Sequence, residues 1–278
     1  MRIVTFLSVI FFMFPMASIG ANVLILDDNY GSEVSDDLIN RGHSVTSIPY
    51  YDWNGANPAP TGFDLILLLG GDDYGYNFDD PTAAGTALQN FVSAGGVFAA
   101  TEWIAYDMDD GLKLELDPIV PLDYTTYTSF DYSGEYTVSV PSHPLTAFLP
   151  TDWQAGDNDG GVCNTLKSGA TALVTRTFNA NQSCSGNTPA LAFMGVGSGT
   201  TIWLNSDLGH DLGEDASPEL LQIIANMASF AANETPVPAS GASPVPTPVP
   251  TMTTYGLVFT AMGLLFVAGR RLRNRRQA

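Results

Sequence analysis

Residues 63–102 read FDLILLLGGDDYGYNFDDPTAAGTALQNFVSAGGVFAATE. The run 64–69 is apolar after its opening Asp64 and ends at Gly70-Gly71-Asp72-Asp73. Residues 81–94 then space Leu88, Phe91 and Val92 as one face of a helix. Gly95-Gly96 stops that helix, and 97–101 is a second apolar run. Two buried strands joined by a crossover helix form a βαβ unit. Such a unit predicts a parallel sheet covered on both faces, with a right-handed crossover. Ligands of open sheets of this kind bind beyond the carboxyl ends of the strands. In this stretch those ends carry Asp72, Asp73 and Glu102.

The same grammar extends on both sides. Residues 22–27 (NVLILD) form a strand ending in Asp27 and Asp28. A helix follows from Ser32, which can cap it, with Val34, Leu38 and Ile39 as its buried stripe. Arg41-Gly42-His43 closes that helix, His43 reading as a turn residue, and 44–48 is the next strand. Residues 50–62 are a loop with Tyr51 and Trp53, and 103–121 an Asp-rich loop or short helix. Strands follow at 134–140, 172–177, 190–194 and 200–204, with a tight turn at 195–199. Residues 217–232 are the last helix, with Leu220, Leu221, Ile224, Met227 and Phe230 facing inward. The expected fold is α/β: a flavodoxin-like parallel sheet flanked by helices, with an antiparallel extension.

Of the 278 residues, 29 are acidic and 10 basic, giving a net charge of −19. All the acids lie between Asp27 and Glu234, where the only bases are Arg41, Lys113, Lys167 and Arg176. So acidic a surface repels nucleic acid and anionic lipid and is able to attract divalent cations. It equally suits a domain that simply needs solubility.

The two ends have other jobs. Residues 1–21 form a secretory signal: Arg2, an apolar run, then Ser18-Ile19-Gly20-Ala21 as a small-residue cleavage site for signal peptidase, after Gly20 or Ala21. The domain proper is 22–234. Residues 235–250 (TPVPASGASPVPTPVP) form an extended spacer. In 251–278, an uncharged apolar stretch at 251–269 is long enough for a transmembrane helix, and Arg270–Arg276 is its positive flank. The expected route is export through the inner membrane of a Gram-negative bacterium and temporary anchoring by that helix. The cell surface or extracellular matrix is the destination. Val249, Pro250, Thr251, Met252, Gly256 and then Arg270 and Arg271 resemble the IPTL-CTERM class of tails, related to the PEP-CTERM tails. That resemblance implies recognition by an exosortase-type membrane enzyme.

A second resemblance covers 22–232. Arg41-Gly42-His43, Leu69-Gly70-Gly71, the 95–100 strand start, His143-Pro144-Leu145-Thr146 and Leu208-Gly209-His210 look like the class I glutamine amidotransferase-like fold. The ThuA-like proteins are the branch it most resembles. That family's amidotransferases place a nucleophilic Cys in the turn after the second strand of the opening stretch. Here that turn carries Thr101 or Glu102, and no His-Pro-Glu follows the last strand. The resemblance therefore implies the fold without glutamine hydrolysis.

One constellation remains. Asp27, Asp28, Asp72, Asp73, Glu102, His210 and Asp211 all fall at expected carboxyl ends of strands. Together they could make a Ca²⁺ or Mg²⁺ site, with Asp72 and Asp73 as the metal ligands, or pair Glu102 with His210 for acid–base hydrolysis. Acids also gather at strand ends because turns and helix N-termini favour them. Trp103, Tyr124, Tyr127, Phe130 and Tyr132 would stack on an envelope or matrix carbohydrate if exposed; if buried, they are hydrophobic cover for the sheet. Cys163 and Cys184, the only cysteines, are expected to form one disulfide in an exported domain. The sequence-level function is thus a non-enzymatic, surface-targeted binding or matrix protein. The alternative is a degenerate ThuA-like carbohydrate-active enzyme.

Overall fold

A computed structural model describes residues 20–27, 31–70, 75–101, 103–128, 130–131, 134–154, 161–178, 187–206 and 217–238. The chain divides into a unit of residues 1–240 and a second of 241–278. The described residues all belong to the first.

In chain order the elements are β1 (Asn22–Asp27), α1 (Ser32–Asn40), β2 (Ser44–Pro49), β3 (Leu65–Leu68), α2 (Pro81–Ser93), β4 (Val97–Thr101) and α3 (Trp103–Asp109). Six short or edge strands follow: β5 (Leu122–Asp123), β6 (Phe130–Asp131), β7 (Glu135–Val138), β8 (Asp152–Gln154), β9 (Gly161–Val162) and β10 (Thr165–Leu166). Then come β11 (Thr171–Thr177), β12 (Asn187–Val196), β13 (Gly199–Leu204) and α4 (Pro218–Ala231). Nine strands form one sheet in the order β2-β1-β3-β4-β13-β12-β11-β7-β8. The first five are mutually parallel and the last four run antiparallel. Two ribbons, β5 with β10 and β6 with β9, lie outside this sheet. The expected parallel core with an antiparallel extension is what the chain adopts.

The continuous apolar strands are explained by cover on both faces. On β1, Val23 and Ile25 join a core with Val34, Leu38, Ile223 and Met227, contributed by α1 and α4. Leu24 and Leu26 point the other way, into a core with Leu88, Val92, Ile104 and Met108 from α2 and α3. Burying each such side chain contributes roughly 2 kcal/mol. The stop of α2 uses its two glycines differently. Gly95 takes a left-handed φ of 119°. Gly96 has no room for a side chain, because a Cβ there would lie 2.3 Å from the Phe91 ring.

Several expectations need correction. Ser32 is inside α1; Gly31 is the capping residue and no side chain caps the helix. Ile39 is 51% exposed, because only Val34 and Leu38 of that stripe are buried beneath α4. The C-terminal transmembrane helix is also withdrawn. Among the described residues no helix is long and apolar enough to cross a membrane. The longest, α4, has 14 residues and spans roughly 21 Å against a hydrocarbon core of about 30 Å. Residues 251–278, where the span and the Arg270–Arg271 flank were expected, lie outside the described set. Membrane attachment through that helix, both as a partner and as a location, falls with it. Cys163 is disulfide-bonded, and Cys184 lies outside the described residues.

Candidate functional site

Strands β1, β3, β4 and β13 are consecutive neighbours and all parallel. Leu26 stands across from Leu68, Leu68 from Ala100, and Leu204 from Thr101. Their carboxyl ends therefore form one rim. Asp28, Asp72, Asp73, Glu102, His210 and Asp211, each attached beyond one of these strands, lie outside the described residues. Asp27 and Trp103 are described, and their surroundings define what the rim offers.

Asp27 closes β1 and is 5% exposed. The Ser47 hydroxyl on β2 donates to Asp27 Oδ2 at 2.5 Å. Gly31 lies against the same carboxylate, and a Cβ there would come within 2.7 Å of Oδ2. The carboxylate thus sits at the start of α1, where the helix dipole favours negative charge. It lines an open cleft of about 310 Å³ with Ser32, Ser35, Asp36 and Ser47. Asp27 forms one wall of that cleft, hydrogen-bonded by Ser47 and packed against Gly31.

Thr101 ends β4 and is 1% exposed. Its hydroxyl accepts the Gly70 N–H at 3.0 Å, tying the end of β4 to the end of β3. Gly70 in turn lies under α3, since a Cβ there would be 2.8 Å from Trp103 Cβ. That close approach fixes where α3 starts. Trp103 and Tyr106 fall on the same side of α3, with ring centroids 5.6 Å apart and edge to face. Tyr106 meets Tyr127 at 6.1 Å in the same manner. All three rings are half-buried. Burial pushes the Tyr127 hydroxyl pKa up, and the nearby Asp109 and Asp110 carboxylates add to this. The result is a row of three aromatic side chains, bordered by acids, beginning directly at the rim.

Beneath the row lies a buried ion pair. Lys113 Nζ pairs with Asp107 Oδ2, and both side chains are 2% exposed. Asp107 Oδ1 also accepts the Gly75 N–H at 3.0 Å. Lys113 Nζ donates to the Tyr76 carbonyl at 2.7 Å and lies 4.4 Å from the centre of the Tyr50 ring. The pair moors residues 75–76, part of the loop that follows β3, to the end of α3. Tyr106, Asp107 and Lys113 were not singled out from the sequence. Tyr106 follows Trp103 at the three-residue helical spacing, and Lys113 is the lone base after an Asp-rich run; those were the available signals.

The other expected landmarks are structural. His43 Nδ1 accepts the Ala21 N–H at 3.0 Å, as suits a turn residue. Burial holds its pKa below the ordinary value, Arg41 pushes the same way, and Glu234 and Asp37 oppose the shift. His143 caps its own turn by accepting the Leu145 N–H at 3.2 Å. That turn is held by Asn226 of α4, whose amide donates to the Leu145 and Ala147 carbonyls at 3.2 and 2.8 Å. Among the described residues no group of three or more His, Cys, Asp or Glu side chains is placed to hold a metal ion. The expected metal ligands Asp72 and Asp73 lie outside them. A roomier groove of about 570 Å³, lined by Phe63, Asp64, Asn90, Phe91 and Ala231, lies at the opposite, amino-end edge of the sheet.

No protein-family model and no curated protein matches this chain. Solved structures do. The cytoplasmic protein STM3548 from Salmonella typhimurium is 14% identical, with a TM-score of 0.56, over 75% of this chain and 98% of that one. A ThuA-like protein from Bacteroides uniformis is 12% identical, with a TM-score of 0.52, over 80% of this chain and 97% of that one. A β-galactosidase from Bacillus circulans is 16% identical, with a TM-score of 0.50, over 78% of this chain but only 32% of the enzyme. At these identities the likeness is one of fold alone, a flavodoxin-like sheet flanked by helices.

Proposed function

We propose that this chain is an exported, surface-delivered binding domain on an amidotransferase-like scaffold, and that its carboxyl-end rim takes carbohydrate without cleaving it. The observation that carries the reading is the half-exposed row Trp103–Tyr106–Tyr127 beside the rim. Aromatic rings present flat apolar faces, and Tyr and Trp add a polar edge. The apolar C–H faces of a sugar ring and its hydroxyls suit that pairing, with neighbouring carboxylates as hydrogen-bond acceptors.

Absence of catalysis is supported at Thr101. The resemblance puts the amidotransferase nucleophile at Thr101 or Glu102, neither of them Cys, and the buried Thr101 hydroxyl accepts the Gly70 N–H. Export is supported by the leader-like sequence 1–21. Surface delivery by an exosortase-type route is supported by the 249–257 motif and the Arg270–Arg271 cluster. Asp72, Asp73, Glu102 and Asp211 belong to the proposed rim through the strands they follow, and a Ca²⁺ or Mg²⁺ ion held by Asp72 and Asp73 would add to it.

The test is calorimetric titration of the purified protein with a panel of bacterial exopolysaccharide fragments, with and without Ca²⁺ or Mg²⁺. Binding weakened about tenfold on Trp103→Ala, with no glycoside hydrolysis in long incubations, is the expected result. Hydrolysis that disappears on Glu102→Gln would replace the binding reading with an enzymatic one.

A further inference from the structure

Ala21 sits just before β1 and is completely buried, its methyl group in the core that α1 and α4 cover. Its carbonyl accepts the Ser44 N–H at 2.9 Å, extending the β1–β2 ladder by one bond. Its N–H donates to His43 Nδ1 at 3.0 Å. The preceding Gly20 passes so close over the next turn that a Cβ would lie 2.1 Å from the Gly42 carbonyl oxygen. Beside these atoms is a small cavity of about 160 Å³, lined by Gly20, Arg41, His43, Ser229, Glu234 and Val237 among others. The Glu234 carboxylate is near enough to His43 to act on its charge, as are Arg41 and Asp37.

The sequence allows leader cleavage after Gly20 or after Ala21, and the two cuts have different consequences. A cut after Ala21 discards a buried methyl group and the bond to Ser44. A cut after Gly20 keeps both and converts the Ala21 N–H into an ammonium group with three donors. One donor already faces an imidazole nitrogen, and a cavity containing a carboxylate lies beside the others. A primary ammonium needs such acceptors and a counter-charge when it leaves bulk water.

We propose that this cavity is the seat of the Ala21 α-ammonium, formed when a leader peptidase hydrolyses the Gly20–Ala21 bond. Water adds across the amide, leaving a carboxylate on Gly20 and the amine, protonated at neutral pH, on Ala21. Because Ala21 is buried in the folded domain, the cut precedes docking of β1, and leader removal completes the corner of the fold where α1, β2 and the segment after α4 meet. The inference rests on the export reading given above.

The full chain, leader included, is expressed in a Gram-negative host, and the folded product is purified and sequenced from its N-terminus. Ala21 is the expected first residue. A protein beginning at Asn22 overturns this inference and leaves export standing; one that retains residues 1–20 overturns both. The mature amine is then treated with an acylating reagent. It should react at least tenfold more slowly than the amine of a free Ala-Asn peptide, and Glu234→Gln should restore much of the rate. Equal reactivity in the wild-type protein overturns the seat even where the cut is at Ala21. Glu234→Gln should also lower the thermal midpoint by about 3 °C.

Discussion

Replacing Lys113 by Met should be among the most damaging single changes near the rim. Met has nearly the same length, so it leaves no large void and the effect is electrostatic. The wild-type ammonium and the Asp107 carboxylate are each 2% exposed. An exposed pair would contribute about 0–1 kcal/mol, whereas removing one partner of a buried pair typically costs about 3–5 kcal/mol. The Gly75 N–H remains as a donor to Asp107, which moderates the loss. The contact of Lys113 with the Tyr50 ring at 4.4 Å disappears, which adds about 1 kcal/mol. The net expectation is about 4 kcal/mol. With a urea slope of about 2 kcal/mol per molar, the midpoint falls by about 2 M, read by far-ultraviolet circular dichroism. Asp107→Leu should cost a similar amount, and the double variant about 5 kcal/mol instead of the roughly 8 kcal/mol of the sum, since an apolar pair is tolerated better than a lone buried charge. A coupling of about 3 kcal/mol is expected from the cycle. A midpoint lowered by less than 0.5 M in Lys113→Met, or strictly additive single changes, would refute the claim that the pair moors this loop (roughly the 1 kcal/mol of an exposed pair).

Other expectations are more quickly tested. Trp103→Ala and Tyr127→Ala should each weaken saccharide binding about tenfold with unchanged secondary structure, since one stacked ring contributes about 1.4 kcal/mol; titration calorimetry reads this. Asn226→Ala should destabilise the domain by about 3 kcal/mol, because the Leu145 and Ala147 carbonyls lose a buried donor, visible in thermal unfolding. Burial holds the pKa values of His43 and His143 below their ordinary 6.5, so the unfolded chain takes up protons that the folded chain refuses. Stability should be full above about pH 6.5 and decline as the pH falls through that value towards the folded-state pKa values; the fall in urea midpoint between about pH 7 and pH 5 should be smaller in His143→Gln, with the His43 contribution remaining. Gly70→Ala should force Trp103 and the start of α3 away from the strand ends, costing about 1–3 kcal/mol and blue- or red-shifting the tryptophan emission.

The strands β1, β3 and β4 could be read from the chain because each is a short apolar run closed by turn residues, and α2 because Leu88 and Val92 repeat at helical spacing between an Asp-Pro start and a Gly-Gly stop. Periodicity was a weaker guide where cover depends on a distant element. Ile39 stands about 100° from Leu38 around the helix, and α4 covers only Leu38. Lys113 and Asp107 meet because α3 ends at Asp109 and Lys113 takes a left-handed φ of 49°, a backbone choice that no spacing rule marks. Tyr106 is hidden because the sequence of 103–121 suits a loop as well as a short helix, and without a helix the three-residue spacing from Trp103 carries no signal. The convergence of the strand ends was legible from the βαβ pattern alone, and the aromatic row was legible in part, through Trp103 and Tyr127.

The clamp on Val237 has a practical reach. Its carbonyl accepts from Arg41 Nη1 at 3.1 Å and from Gln222 Nε2 at 3.0 Å, which holds the outgoing chain at the end of α1, close to Gly20. Both passages into and out of the domain are therefore at one pole, and the aromatic row is at the other. A bead, tag or carrier attached at residue 238 would start from the pole opposite the aromatic row.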